Sequence, residues 1–360
     1  MKLYLINGFL GSGKTTAIQM ACQTLLDNKR KVGVVTNDQG EELVDTAFLK
    51  NNNLPTLEVT GGCFCCNYEK LSSAITTLDR NEHPDVIFAE SVGSCTDLIA
   101  TVAKPLNKFY PDLEIVITVL ADARLLHALM TNNTSFVSEE VQYVYKQQLA
   151  EADIMIVNKI DLLNAEELSG IQIIIEQEYR EKLILYQNST DKRHINTWLI
   201  KLESFRQPAL RHSLQIDYEV YAKGESLLAW LDQSLEITTV DGSALTVAEE
   251  LITGIVDRIH ESNYLIGHLK YMVDDGKNKS KISYTSIHDQ HQDLNMSGSS
   301  KSDKIDLLIN ARIQSTPGQL SDIVSLAINE IIKRGTSRIN VKKLSSFQPG
   351  YPRPTYRMVD

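Results

Sequence analysis

Short apolar runs recur through the first half of the chain, and each gives way to a polar or glycine-rich stretch. Seven of these runs have the length of a β-strand, and stretches with helical periodicity lie between them. The predicted strands lie at 2–7, 31–36, 57–60, 85–89, 114–121, 152–157 and 182–186, and the predicted helices at 15–28, 69–78 and about 137–150. Continuous apolar runs are typical of parallel strands that are buried on both faces. The pattern therefore predicts an α/β fold with a mostly parallel, doubly wound sheet, which binds ligands at the carboxyl ends of its strands.

The pattern changes past position 204, where Gln207-Pro208 and scattered charges predict a linker. Further strands are predicted at 227–238, 264–273, 281–288 and 304–314, and helices at 246–262 and 319–334. This order favours a smaller α+β domain, for which a ferredoxin-like arrangement is one candidate. We expect three regions: the α/β domain at 1–210, the α+β domain at 211–335, and a basic, proline-containing tail at 336–360. The tail is interpreted as a disordered, solubilising segment or as a docking arm for an acidic partner.

Composition and charge narrow the class of protein only slightly. The 360 residues are 42% hydrophobic and 23% charged, which is ordinary for a folded protein. The net charge of −10 argues against general nucleic-acid binding. No secretory signal is evident and no apolar run is long enough to cross a bilayer, so we expect a cytoplasmic protein without a membrane partner.

A glycine-rich motif lies between the first predicted strand and the first predicted helix. Residues 8–16 read Gly-Phe-Leu-Gly-Ser-Gly-Lys-Thr-Thr, which matches the phosphate-binding pattern Gly-x4-Gly-Lys-Ser/Thr. Lys14 is expected to reach the terminal phosphates, and the Thr15 hydroxyl to hold magnesium. This context predicts a P-loop NTPase. The residues expected to bind the nucleotide here are Gly8, Gly11, Ser12, Gly13, Lys14, Thr15 and Thr16.

A second motif indicates which base is bound. The strand at 152–157 leads into Asn158-Lys159-Ile160-Asp161, the Asn-Lys-x-Asp pattern of guanine-specific GTPases. The Asp161 carboxylate can accept two hydrogen bonds from guanine, whereas adenine would leave that carboxylate unpaired. We therefore expect GTP and GDP as the nucleotides, with Asn158, Lys159 and Asp161 at the base.

Three cysteines, Cys63, Cys65 and Cys66, lie within four residues of one another. In a reducing compartment such clusters bind metal more often than they form disulfides, and thiolates favour zinc, copper(I), cobalt or nickel. The three sulfurs converge only if the chain turns after Cys65. A fourth ligand could be water, Glu41 or Glu42, or a client protein. The cluster could instead consist of inert buried thiols, and the remaining cysteines, Cys22 and Cys95, are interpreted as packing residues.

Two further segments, one before and one after the cysteine cluster, complete an ordered set of motifs. Between the phosphate loop and the guanine motif the chain reads Asn37-Asp38-Gln39-Gly40, followed by Asp45, then Gly62-Cys63-Phe64-Cys65-Cys66, then Glu90-Ser91-Val92-Gly93. In this order the segments resemble the CobW-type metallochaperone GTPases, which are relatives of the nickel-insertion GTPases of urease and hydrogenase. The resemblance covers about the first 200 residues. It implies that GTP binding and hydrolysis drive delivery of a metal to a client metalloprotein or cofactor pathway.

The resemblance also implies roles for individual residues. Lys14, Asp38 and Glu90 are expected to be catalytic, with Asp38 reaching magnesium through water and Glu90 orienting the attacking water or sensing the γ-phosphate. The Gly93 amide is expected to contact that phosphate. Glu90 could instead cap the following helix, and Asp38 and Glu41 could be solvated loop charges. Proteins of this kind often form homodimers, which is a further expected partner.

Three alternatives remain open from the sequence. The protein could be a GTP-dependent activator of a corrinoid (cobalamin) or other cofactor enzyme that delivers no metal. It could be a small-molecule kinase, although the guanine motif argues against this, or a scaffold that binds GTP without hydrolysis. The second half lacks a histidine-rich metal loop, and its nearest equivalent, the pair His288 and His291, is a weak ligand set in a polar stretch.

Overall fold

The apolar runs of the first half form one sheet of seven parallel strands in the computed structural model. The strand order across the sheet is β3-β2-β4-β1-β5-β6-β7. The strands are β1 (Lys2–Asn7), β2 (Val32–Asn37), β3 (Thr56–Val59), β4 (Val86–Glu90), β5 (Glu114–Asp122), β6 (Ile154–Asn158) and β7 (Leu183–Gln187). The expected P-loop NTPase type of α/β fold is confirmed.

The structure describes residues 1–40, 44–131, 138–208, 210–285 and 301–360. Contacts divide the chain into two units. The first unit comprises Met1–Gln39, Asn52–Gly224 and Tyr351–Asp360, and the second comprises Gly40–Asn51 and Glu225–Gly350. The units therefore interleave along the chain, whereas the sequence predicted three consecutive regions.

Helices connect the parallel strands of the first unit. They bury apolar side chains such as Ile18 and Ala21 of the first helix and Trp198 of the eighth, and the Trp198 ring lies 6.1 Å from that of Phe88 in β4. The helices that begin in this unit are α1 (Lys14–Asp27), α3 (Tyr68–Glu82), α4 (Lys104–Phe109), α5 (Ala123–Met130), α6 (Glu139–Ala150), α7 (Ala165–Glu178), α8 (Lys192–Ser204) and α9 (Tyr218–Ser226), with a π-helix at Ile99–Ala103 and a 3-10 turn at Ile160–Leu162; α2 (Val44–Asn51) belongs to the second unit.

The parallel register places the polar ends of the strands at one edge of the sheet. Glu90, the last residue of β4, pairs with Ile6 of β1 on one side and Thr36 of β2 on the other. On the other side of β1 in the strand order, Asp122 at the end of β5 pairs with Asn158 at the end of β6. The predicted functional segments therefore all follow strands at the same edge, as the fold type requires.

The second unit contains a five-stranded antiparallel sheet in the order β10-β9-β11-β8-β12. Two amphipathic helices bury their apolar faces in a single hydrophobic core with this sheet. If β10 is set aside, the element order is the β-α-β-β-α-β order of a ferredoxin-like fold. The elements are β8 (Ala229–Thr239), α10 (Ala244–Glu261), β9 (Ile266–Asp274), β10 (Lys279–Tyr284), β11 (Lys304–Ile313), α11 (Pro317–Lys333) and β12 (Ser337–Phe347).

Helix α2 is attached to the second unit by a buried charged side chain. Asp45 accepts hydrogen bonds from Lys270 at 2.5 Å and from Lys281 at 2.7 Å. Burial alone would raise the pKa of Asp45, but the two ammonium groups hold that pKa well below its ordinary value. Lys281 also lies 4.7 Å above the ring of Phe48. Asp45, which the sequence associates with the first switch segment, is therefore an internal ion-pair residue of the second unit.

The expected tail at 336–360 differs from the structure. Residues Ser337–Phe347 form β12, which pairs along β8, and residues 351–360 belong to the first unit. Most side chains of β12 are exposed, because it lies at the edge of the sheet. Of the basic residues in the predicted tail, Arg338, Lys342 and Lys343 are exposed positions of this edge strand, whereas Arg353 and Arg357 lie beyond it.

Candidate functional site

The loop between β1 and α1 has the backbone that phosphate binding requires. Gly8 and Gly13 adopt φ angles of 136° and 93°, which side chains strongly disfavour. A Cβ atom on Gly8 would lie 2.1 Å from the carbonyl oxygen of Leu120, and one on Gly13 would lie 2.4 Å from the Asn158 amide nitrogen. Glycine is therefore required at both positions, by conformation and by space.

The structure brings three of the predicted residues together at this loop. The Lys14 ammonium donates hydrogen bonds to the carbonyl oxygens of Gly8, at 2.7 Å, and Phe9, at 3.3 Å. The Thr15 hydroxyl donates to a carboxylate oxygen of Glu90 at 2.8 Å. All three side chains are buried, with Glu90 only 6% exposed. A lysine, a hydroxyl and a carboxylate thus meet where β1 and β4 end.

One residue of the guanine motif, Asn158, stabilises the phosphate loop by a hydrogen bond. The Asn158 side-chain amide donates to the carbonyl oxygen of Ser12 at 2.7 Å, and its oxygen accepts hydrogen bonds from the backbone and hydroxyl of Ser189, at 3.1 and 2.8 Å. Lys159 has a left-handed backbone with φ 63°. The Asp161 side chain is exposed at the 3-10 turn. Of the motif, Asp161 is therefore the residue that presents a carboxylate outward.

Asp122 is a site residue that the sequence reading missed. It caps α5, and its carboxylate accepts hydrogen bonds from Lys159 at 2.8 Å and from the backbone of Arg124 at 2.9 Å. Burial would raise the pKa of Asp122, but the Lys159 and Arg124 cations hold it below its ordinary value. The carboxylate thus remains ionised and fixes the Lys159 side chain. In the sequence, the only sign of this role was the position of Asp122 directly after the predicted central strand at 114–121.

The three clustered cysteines converge because the chain turns tightly. The backbone amides of Cys66 and Asn67 both donate to the carbonyl oxygen of Cys63, at 3.0 and 2.9 Å. The sulfur of Cys63 lies 2.8 Å from that of Cys65 and 3.5 Å from that of Cys66, and the Cys65–Cys66 distance is 3.7 Å. Cys63 and Cys65 are buried and Cys66 is half-buried. The group has the donor set and spacing to hold one soft metal ion.

The surroundings keep the Cys65 and Cys66 thiols protonated in the absence of metal. Contacts with Cys63, Cys66 and Cys95, together with burial, raise the pKa of Cys65 well above its ordinary value. The contact with Cys63 is the main cause that raises the pKa of Cys66 to about 11. Several negative sulfurs at this spacing would repel one another, so a bound cation is what would favour their deprotonation.

Asn37 positions the cysteine loop from the neighbouring strand. Its side-chain amide donates to the carbonyl oxygens of Val59, at 2.9 Å, and Gly62, at 2.8 Å, and its oxygen accepts from the backbone of Phe64 at 2.8 Å. Asn37 itself ends β2. The sequence reading assigned Asn37 to a switch segment by resemblance and gave no sign of this role. The next residue, Asp38, is half-buried, and its backbone amide donates to the carbonyl oxygen of Val59 at 3.2 Å.

The interpretation of Cys95 as an ordinary packing residue needs correction. Its sulfur lies 4.0 Å from that of Cys65, so it borders the cluster although it is 30 residues away in sequence. The segment that carries it is held by Gln148, whose amide donates to the carbonyl oxygens of both Gly93 and Cys95 at 2.9 Å. Cys22, in contrast, is buried within α1, as expected.

Residues 351–360 pack against the same loop. The backbone amide of Thr355 donates to the carbonyl oxygen of Cys65 at 2.8 Å, and that of Arg353 donates to the Cys66 sulfur at 3.3 Å. The Arg357 guanidinium donates to Asp97 at 2.8 Å. This segment is therefore an ordered part of the cysteine site. The other candidate ligands, Glu41, Glu42, His288 and His291, lie outside the described residues.

Comparison with known proteins places this geometry in a family. Residues 2–184, about half of the chain, match the family model described as the CobW/HypB/UreG nucleotide-binding domain. The chain belongs to the CobW/HypB/UreG family. The matched region of the CobW/HypB/UreG domain contains the phosphate loop, the cysteine loop and the guanine motif. The second unit, apart from α2, and residues 351–360 lie beyond it.

Individual relatives within the family align over the same part. The zinc chaperone YeiR of Escherichia coli (strain K12) is 30% identical over 185 residues, which cover 51% of this chain and 53% of that protein. The zinc chaperone CobW of Sinorhizobium sp is 29% identical over 190 residues, 47% of this chain and 53% of that protein. The chain thus matches about half the length of these curated relatives.

One solved structure has a similar backbone at lower identity. The crystal structure of HypB from Helicobacter pylori in complex with nickel is 17% identical, with a TM-score of 0.43, and the match covers 58% of this chain and 90% of that one. The family assignment does not depend on that likeness.

Among the described residues, no helix is both long enough and apolar enough to cross a bilayer.

Proposed function

We propose that this protein is a GTP-hydrolysing metallochaperone. It binds a transition metal, with zinc favoured over cobalt or nickel, through Cys63, Cys65 and Cys66. It binds GTP at the phosphate loop and passes the metal to a client metalloprotein or cofactor pathway. The named relatives support zinc, because two of the most similar ones are described as zinc chaperones.

The order of strands at one sheet edge is the observation that carries this proposal. The cysteine loop follows β3 and the phosphate loop follows β1, and the two strands between them are β2 and β4. β2 ends at Asn37, which holds the cysteine loop, and β4 ends at Glu90, which accepts from Thr15 of the phosphate loop. At the usual strand spacing β3 and β1 are about 14 Å apart. A change at the nucleotide thus has a short path, through two strand ends, to the metal.

The nucleotide site supplies positioning and charge, which is most of what phosphoryl transfer requires. Lys14 exchanges its contacts with the loop carbonyls for the β- and γ-phosphates of GTP. Glu90 orients the attacking water, and the Gly93 amide contacts the γ-phosphate. Thr15 and Asp38 are the residues that would hold magnesium, which supplies charge neutralisation at the phosphates. The exposed Asp161 carboxylate selects guanine.

Two ligands of the metal site, Cys65 and Cys66, are neutral thiols until the ion arrives and become thiolates when it binds. Binding releases their protons, and the buried position of Cys63 and Cys65 keeps water from the ion. If the GTP state holds zinc more tightly than the GDP state, zinc must tighten GTP by the same factor. Hydrolysis then loosens the ion for transfer to the client, and order in the switch segments is the means of coupling.

Zinc stoichiometry and nucleotide choice test this proposal. The reduced protein is titrated with zinc against a competing chelator, and turnover of GTP and ATP is measured in the same preparation. We expect one tightly bound zinc whose affinity falls strongly in Cys65→Ser and is unchanged in Cys22→Ser, the matched control from a buried cysteine outside the cluster. GTP should be hydrolysed and ATP should not, and Asp161→Ala should weaken that preference.

Two results would overturn the proposal. Zinc binding that is absent, or that is as tight in Cys65→Ser as in the wild-type protein, would remove the metal from the cysteine loop and favour a GTPase that activates a cofactor enzyme without delivering metal. Equal turnover of ATP and GTP would remove the guanine assignment of Asp161.

A further inference from the structure

Four cysteine sulfurs, rather than three, gather where β3 and β4 end. Cys63, Cys65 and Cys66 lie on one loop, and Cys95 approaches from the segment that follows β4. We propose that Cys95 supplies a fourth thiolate to the metal, which closes a four-sulfur site. This inference rests on the proposed metal-binding function, since it concerns the same ion.

The spacing of the sulfurs suits a tetrahedral ion. With zinc–sulfur bonds of about 2.3 Å, the sulfurs of such a site lie about 3.8 Å apart. Three observed distances are close to this value: 3.5 Å for Cys63–Cys66, 3.7 Å for Cys65–Cys66 and 4.0 Å for Cys65–Cys95. The Cys63–Cys65 distance of 2.8 Å is shorter, so those two sulfurs must separate when the ion enters. Cys95 must also move closer to Cys63 and Cys66.

The chemistry around the cluster favours sulfur as the fourth donor. Among the described residues, no carboxylate or imidazole group joins the three sulfurs within the 4.8 Å that relates them to one another. Cys95 also lies beyond that distance from at least one of them, but its sulfur already contacts that of Cys65 at 4.0 Å. Cys95 is fully buried, and so are Cys63 and Cys65 to within 3% exposure. Closed four-thiolate sites are typical of tightly held zinc, whereas a site with three protein ligands and water is typical of catalytic zinc. A carrier needs tight binding and no metal-bound water.

The position of Cys95 in the chain connects this fourth ligand to the nucleotide. It lies two residues after Gly93, whose amide is expected to contact the γ-phosphate. The Gln148 amide donates to the carbonyl oxygens of both Gly93 and Cys95, each at 2.9 Å, and so links the two residues. When the γ-phosphate leaves, this segment would withdraw the fourth thiolate and leave a three-coordinate, labile ion. Metal release would then follow from the loss of one ligand.

Zinc K-edge X-ray absorption of the loaded, full-length protein tests the inference. In the presence of magnesium and a non-hydrolysable GTP analogue, we expect four sulfur neighbours at about 2.3 Å. Cys95→Ser should show three sulfurs and one oxygen or nitrogen, while the control Cys22→Ser should show four sulfurs. Cobalt(II) loading gives a second readout, because the sulfur-to-cobalt charge-transfer absorption should fall by about a quarter in Cys95→Ser.

The outcomes separate this inference from the proposed function. Three sulfurs plus a lighter atom in the wild-type protein, which requires no variant to fold, would overturn the role of Cys95 and leave the three-cysteine site intact. An unchanged sulfur count in Cys95→Ser would do the same. Failure of the wild-type protein to bind zinc at all would instead overturn the proposed function.

Discussion

The phosphate loop and the cysteine loop are built on the same plan but depend on the rest of the chain to different degrees. Each joins a strand to a helix at the same edge of one parallel sheet, and each begins with glycines of positive φ, Gly8 in one and Gly61 and Gly62 in the other. The phosphate loop carries its lysine and its hydroxyl within its own few residues. The cysteine loop takes Asn37, Cys95 and Thr355 from three distant segments.

This difference follows from the ligands. A polyphosphate is bound by backbone N–H groups and a helix N-terminus, which a short glycine-rich segment can provide by itself. A soft cation needs several thiolates held close together against their mutual repulsion, and the turn that gathers them needs external hydrogen bonds. The phosphate-binding groups of the anion site are therefore contiguous in sequence, with Asn158 and Glu90 as distant supports, whereas the ligands and supports of the cation site are brought together by the fold.

The largest effect that separates the two loops is expected from Lys14→Ala. Removing the cation at the terminal phosphates should lower GTP turnover by about 100-fold or more, a magnitude typical of losing one group that stabilises developing charge. Zinc binding without nucleotide should be unchanged, because Lys14 lies in the phosphate loop, where its ammonium donates to the carbonyl oxygens of Gly8 and Phe9. Turnover and chelator competition are measured on one preparation.

The matched control for this variant is Lys146→Ala, which removes an exposed lysine from α6. It should leave both turnover and zinc binding unchanged. Wild-type turnover in Lys14→Ala would contradict the assignment of the phosphate loop.

The second-largest effect is expected in the pH dependence of zinc binding, which is a property of the cysteine loop. Because the pKa of Cys65 is raised well above its ordinary value and that of Cys66 to about 11, both thiols are protonated between pH 6 and 8 without metal. Zinc must displace at least these two protons, so its affinity should rise by at least about 100-fold for each unit of increasing pH. Competition titrations at pH 6, 7 and 8 measure the slope. An affinity that does not change with pH would show that the thiols are already ionised, or that they are not ligands.

A smaller effect is expected when the cysteine loop loses its support from β2. Asn37→Ala removes three hydrogen bonds from that loop and should weaken zinc binding by about 10- to 100-fold, as is usual for residues that orient metal ligands. The buried groups left unpaired should lower the free energy of unfolding of the metal-free protein by about 1–3 kcal/mol. Chelator competition and urea denaturation measure the two effects.

Asn81→Ala, at an exposed position of α3, is the control for both measurements. Equal zinc affinity in Asn37→Ala and Asn81→Ala would mean that the cysteine loop holds its shape unaided. The contrast between a local and an assembled site would then be wrong.

The smallest effect concerns residues 351–360, which lie against the half-buried Cys66. Arg357→Ala removes the hydrogen bond to Asp97 and should loosen this segment by about 1 kcal/mol, since the guanidinium is partly exposed. Alkylation of Cys66 in the metal-free protein should become roughly fivefold faster, as measured by peptide mass spectrometry. Arg353→Ala keeps the backbone bond to the Cys66 sulfur and should react at the wild-type rate. Equal rates in the two variants would contradict a covering role.

The contrast between residues that are contiguous in sequence and residues that folding brings together also explains which features the sequence predicted. Most of the seven parallel strands were predicted because they are apolar runs, although β3, which reads Thr-Leu-Glu-Val, is not, and the phosphate loop was predicted because its residues are contiguous. Strand β12 was missed because an edge strand with exposed side chains has no apolar pattern. Helix α2 follows a switch segment in sequence, and nothing there shows that Asp45 would pair with Lys270 and Lys281.

Within the site, the misses were all residues that act at a distance in sequence. The roles of Asn37 and Cys95 depend on strands β2, β3 and β4 lying side by side, which is a property of the sheet order. Asp122 could be placed at a strand end, but its pairing with Lys159 required the neighbouring strand to be known. A short motif contains its functional residues in one stretch of sequence, whereas a site assembled from several strand ends is recognisable only in the folded chain.

The central claim is that the nucleotide at one loop controls the metal at the other. The most direct measurement is the zinc affinity of the wild-type protein, by chelator competition, with magnesium and either GDP or a non-hydrolysable GTP analogue. We predict tighter binding with the analogue, by about 5- to 150-fold, the usual range for coupling between two sites. The difference should vanish in Lys14→Ala. Equal zinc affinity with the two nucleotides in the wild-type protein would contradict the claim.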